Sequence, residues 1–111
     1  MKVLVCLFAL CLCSQASAQA LTERESIVVS NLTGLRLSEK HCSDRYVFDK
    51  DNRRILVQKL GINIDGPKYR AELKKQTKTI EGYFKEIGPR LCDKMYDQIG
   101  GQRMGSVMMK R

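Results

Sequence analysis

The side chains with the most capacity for chemistry fall at two places in the sequence, His41-Cys42 and Cys92-Asp93. A thiol beside an imidazole is the material of a nucleophile pair, and Cys, His and Asp are all zinc-ligand types. The spacing argues against both uses. Adjacent residues on a helix do not face each other. His41 is the single histidine, and no Cys-x-x-Cys completes a ligand set. Asp49-x-Asp51-x-Arg53 begins like a calcium loop, but Arg54 stands where the loop needs glycine and Leu60 where it needs glutamate. Met104, Met108 and Met109 are soft ligand types without histidine or a repeated spacing to support them. There is no Gly-rich phosphate loop. The expectation is a protein that is not an enzyme and holds neither metal nor cofactor.

What the cysteines do instead follows from the start of the chain. Met1-Lys2 is followed by an apolar run from Val3 to Leu12 and by Cys13-Ser14-Gln15-Ala16-Ser17-Ala18. A basic start, a short apolar core and a small-x-small exit are the pattern of a secretory signal peptide. Residues 1–18 are therefore expected to be cleaved, leaving Gln19 first. The apolar run is shorter than the roughly 20 residues that span a bilayer. Leu10 and Leu12 precede Cys11 and Cys13 where a lipid-modified cysteine would need small residues, so lipidation is not expected. Cleavage removes Cys6, Cys11 and Cys13 and leaves Cys42 and Cys92. Two cysteines in an exported chain imply one disulfide. Closing a loop of about 50 residues contributes on the order of 4 kcal/mol in the chain-entropy account.

Charge is the next signal. The chain has 20 Lys and Arg against 12 Asp and Glu. The leader takes Lys2 and no acid, so the mature balance stays strongly basic. Such a balance draws a protein toward acidic proteins and anionic surfaces. Lys74, Lys75, Lys78 and Lys85 lie off the apolar stripe of a long predicted helix and form the candidate basic surface. Glu81–Lys85 and Glu86–Arg90 have the order that favours i,i+4 pairing, so part of this face is expected to be laced with its own ion pairs. A nucleic-acid surface would need aromatics interleaved with the lysines, and Tyr69, Tyr83 and Phe84 are read as core or core edge instead. Asn31-Leu32-Thr33 is an N-glycosylation acceptor triplet.

The elements that must position these residues read as helices. Thr22-x-x-Glu25 is a capping-box pattern, and Leu21, Val28, Leu32 and Leu35 recur near helical spacing. The prediction is a helix over about 22–33, ended by Gly34. Residues 37–50 read as loop or a single turn around Cys42. A helix over 51–60 follows, capped by Asp49 or Asp51, buried along Ile55, Leu56 and Leu60, and closed by Gly61. Asp65-Gly66-Pro67 opens a long helix. Its apolar positions, from Tyr69, Leu73, Ile80 and Phe84 to Ile87, Leu91, Met95 and Ile99, keep one face. Gly88-Pro89 interrupts it, predicting a kink or two helices over 67–87 and 89–99. Gly100-Gly101 ends the last helix, and 102–111 reads as a flexible, disordered tail.

The stretch from Glu39 to Gly101 resembles a loose group of small uncharacterised exported proteins of rhizobia-like bacteria. The features that carry it are His41-Cys42, Asp51 and Asp65 before helices, Cys92 in the last helix and the closing glycines. The resemblance implies a periplasmic helical protein with one disulfide, and brings no activity or functional residues. The whole reading is an all-α domain over 19–101: a small bundle of three or four helices, one disulfide, a disordered C-terminal tail. It is expected to be exported, periplasmic or secreted, and to bind a macromolecule such as an acidic protein. A carrier of a small apolar ligand and a basic membrane-active protein are the alternatives.

Overall fold

The structure is a computed structural model that describes residues 20–111. The expected leader lies outside the described residues. Four helices carry the fold: α1 (Glu23–Cys42), α2 (Lys50–Leu60), α3 (Arg70–Ile87) and α4 (Arg90–Ile99). Two short strands, β1 (Tyr46–Phe48) and β2 (Met108–Lys110), pair antiparallel. The molecule is thus mostly helical but not purely so.

Helix α1 starts where the capping box requires. The Glu25 amide donates to Thr22 Oγ1 at 3.0 Å, and the Thr22 amide donates to Glu25 Oε1 at 2.9 Å. The helix does not stop at Gly34. It runs to Cys42 and is the core helix, with Val28, Val29, Leu32, Leu35 and Leu37 buried together with Thr33, Gly34 and Ser38. A helix buried on several sides loses the clear apolar stripe by which a half-buried one is recognised. Gly34 has a packing role. A Cβ built there would stand 2.9 Å from Met95 Cε and 3.2 Å from Ile99 Cδ1. Glycine lets α4 approach the α1 backbone.

Helix α2 is capped by Asp49, whose carboxylate accepts from the Asn52 amide at 2.9 Å. Gly61 closes it in the left-handed region, at φ 69°. Its buried side is shifted from the expected one. Leu56, Val57 and Leu60 pack on the core, while Ile55 is 46% exposed. The apolar stripe assigned to the long helix does face the core: Ile80, Phe84, Leu91 and Ile99 are buried, with Tyr69, Leu73, Ile87 and Met95 packed against them. Gly88 splits it into α3 and α4 at φ 80°, a backbone state that a side chain disfavours. Pro89 then begins α4, where its missing N–H costs no helical bond.

Side-chain pairs set the helix directions. Glu25, near the start of α1, meets Lys68 and Tyr69 just before α3, and Lys40 and His41 near its end meet Glu81. Helices α1 and α3 therefore run parallel, with α2 on the crossover. Cys42 at the end of α1 meets Cys92 at the start of α4, and Gly34 meets Met95 and Ile99, so α4 returns antiparallel.

The expected disordered tail is corrected. Residues 101–104 form a 3-10 turn, and β2 then pairs with β1 in the register Tyr46–Lys110, Val47–Met109 and Phe48–Met108. Val107 and Met108 are fully buried. The Asp49 amide donates to the Val107 carbonyl at 2.8 Å, and Asn52 Nδ2 to the Ser106 carbonyl at 3.0 Å. The segment has no period of its own, but it closes the gap over β1 and buries two large apolar side chains there.

Candidate functional site: a cationic helix face and an apolar groove

His41 and Cys42 are placed by α1 on different sides of the helix. The Cys42 sulfur is 2.16 Å from that of Cys92, with both residues buried and their Cα atoms 5.8 Å apart. His41 turns outward, stacks on Phe84 with ring centroids 4.4 Å apart, and brings Nε2 to 2.6 Å from Glu81 Oε1. Imidazole and sulfur thus serve separate structures. Among the described residues no three His, Cys, Asp or Glu side chains converge as a metal set would require. None of the described helices is long and apolar enough to cross a membrane.

The four lysines singled out in the sequence come together on α3. Lys74, Lys75, Lys78 and Lys85 are all exposed, and Arg70 extends their stripe toward the start of the helix. From Arg70 to Lys85 the stripe is about 22 Å long at the ordinary helical rise. None of these five cations has an ion-pair partner among the described residues. Of the three acids of α3, Glu81 is engaged with α1, and Glu86 is exposed. Glu81 binds Lys40 Nζ at 2.6 Å as well as His41, and these partners, Lys40 first, hold its carboxyl below the usual range. Glu72 accepts from Gln76 at 2.8 Å. The expected Glu81–Lys85 and Glu86–Arg90 pairs do not form. Glu81 turns toward α1, and the break at Gly88 takes Arg90 out of helical register with Glu86.

On the other flank of α3 lies a groove shared with α1 and α4. Its cavity has a volume of about 400 Å³. Ile80, Ile87, Leu91, Met95 and Ile99 make its apolar walls, and Ser30, Asn31 and Gly34 of α1 make a floor of small and polar groups. Lys94 is the one charged residue that lines it. Sequence reasoning passed over Ser30 and Lys94. No pattern marks them, because their shared property is a position opposite another helix.

Comparison with protein-family models, curated proteins and solved structures gives no match. What the site does must therefore be argued from its own chemistry. The acceptor triplet at Asn31 is one example. Thr33 is fully buried and its hydroxyl donates to the Val29 carbonyl at 2.6 Å. In the folded chain Leu32 and Thr33 of the triplet are buried, and Asn31 itself lines the groove.

Proposed function

We propose that this protein is an exported, non-enzymatic binding protein that docks on an anionic macromolecular surface, an acidic protein foremost, through the cationic face of α3. The observation that supports it is the set of five exposed cations, Arg70, Lys74, Lys75, Lys78 and Lys85, without ion-pair partners among the described residues. A helix face built for solvation alone would place its acids among its lysines. Here Glu81 is paired with Lys40 of α1, so Glu72 and Glu86 are left to offset the five cations only in part. The core stripe, the capping box and the disulfide are accounted for by stability. No residue is assigned a catalytic role.

The test is retention on an acidic-protein resin as ionic strength rises. Exposed charges act within a Debye length of about 8 Å at physiological salt, so binding should weaken steeply with added salt. The fourfold variant Lys74→Gln, Lys75→Gln, Lys78→Gln, Lys85→Gln should elute at low salt with unchanged circular dichroism, because all four side chains are exposed. Salt-insensitive retention, or equal retention of the variant, would remove the proposal.

A further inference from the structure

The groove between α1, α3 and α4 supports a reading that goes beyond the cationic face and does not rest on it. We propose that it binds a single-chain amphiphile with an anionic head, of the class of a medium-chain carboxylate. The alkyl chain lies along the apolar walls and the head group sits against Lys94.

Size is the first argument. A cavity of about 400 Å³ lies within the range of small-molecule sites. The α3 wall extends from Gln76 to Ile87. That is about 16 Å at the helical rise, long enough to take an extended chain of roughly ten carbons together with its head group. Parallel α1 and antiparallel α4 flank α3, and α1 lines the groove with no bulky side chain. Ser30 and Gly34 stand where a leucine would fill the space. Gly34 also brings the Met95 and Ile99 side chains onto the α1 backbone, so apolar wall meets the small and polar floor there.

Charge is the second argument and selects the head group. No acid lines the groove, and Lys94 is exposed at its rim with no ion-pair partner among the described residues. A lone cation beside an apolar slot favours an anion and disfavours a second cation. Asn31, Thr79 and Gln98 also line the groove and supply neutral hydrogen-bond donors for head-group oxygens. The apolar walls need no counter-charge, and a neutral alcohol of the same length would gain the chain contacts alone.

Isothermal titration of the purified oxidised protein tests this with decanoate, decanol and decyltrimethylammonium, each below its micellar concentration. One decanoate should bind per chain, more tightly than decyltrimethylammonium by about tenfold, the scale of one charge-assisted contact. Lys94→Gln should weaken decanoate by about tenfold and leave decanol unchanged. Thr79→Trp, made at an exposed wall position, should abolish binding of all three. The fourfold lysine variant of α3 should bind decanoate like the parent, so failure of the groove and failure of the cationic face read out separately. Equal affinity for the three head groups, an unaltered decanoate affinity in Lys94→Gln, or no saturable binding would each overturn the proposal. So would a sedimenting dimer that no probe dissociates, which would assign the groove to a second copy of the chain.

Discussion

Glu25 shows how much one side chain does in this fold. Its carboxylate closes the capping box with Thr22 and also receives Lys68 Nζ at 2.7 Å and the Tyr69 hydroxyl at 3.0 Å. Lys68 first, then the Thr22 amide, hold its pKa at about 2 against an ordinary 4.5. A carboxyl lowered by folding adds stability above its unfolded pKa, and loses it as pH falls from about 4.5 toward 2. Thermal unfolding across that window should show the parent falling, with Glu25→Gln less stable at neutral pH and flatter in acid. Superimposable profiles would refute the assignment. Glu81 and Asp65, also lowered, keep some slope in the variant. Tyr46 works in the opposite sense. Its hydroxyl donates to Asp93 Oδ1 at 2.5 Å, and that bond, with burial, pushes the phenol up to about 12. Its contribution is complete below the ordinary value near 10 and is lost as pH rises from there to about 12. Tyrosinate absorbance should show a late-titrating component that Tyr46→Phe deletes; a parent curve without it would refute the contact. The Thr22–Glu25 pairing was legible because its partners are three residues apart. The Tyr46–Asp93 bond was not, since 47 residues separate them.

At the scale of elements, local punctuation was read well and long-range pairing was not. Asp49, Gly61 and Gly88-Pro89 each mark a boundary through backbone geometry that is independent of the rest of the fold. Gly34 carries the same residue type with another meaning. In a helix interior it costs about 1 kcal/mol against alanine, so on local grounds it should end the helix. Contact with Met95 and Ile99 overrides that preference. The last ten residues invert the case. Two strands of three residues have no local reason to form, and β1–β2 exists because Val107 and Met108 can be buried beside it. Met108→Ala should therefore cost about 2–5 kcal/mol in denaturant unfolding, as for a buried core methionine. A disordered tail would cost nothing, and a value near zero would return these residues to that description.

On the scale of the whole molecule, the disulfide joins the end of the core helix to the start of the last one. It encloses α2, the crossover and α3, so its loss frees most of the chain in the unfolded state. Reduction should lower stability by about 4 kcal/mol. Intact mass with alkylation before and after reduction, on protein from its native compartment, should give a chain starting near Gln19 whose Cys42 and Cys92 react only once reduced. Free thiols in the untreated protein would contradict both the bridge and the proposal that the chain is exported. The molecule divides its surface between the cationic side of α3 and the groove on its other flank. One helix thus carries both the exposed cations and, through Ile80 and Ile87, a wall of the groove.

The sequence by itself determined the mostly helical class, the breaks at Gly61 and at Gly88-Pro89, the apolar stripe of α3 and α4, and Cys42 with Cys92 as partners. Each depends on a short-range period, a capping geometry or a count of cysteines. Tertiary structure alone decided the length of α1, the ordered C-terminal strand, the escape of Glu81 from its own helix and the groove beside Lys94. These come from residues far apart in the chain whose meeting depends on parallel α1 and α3 with α4 returning against both, and no local pattern encodes that arrangement.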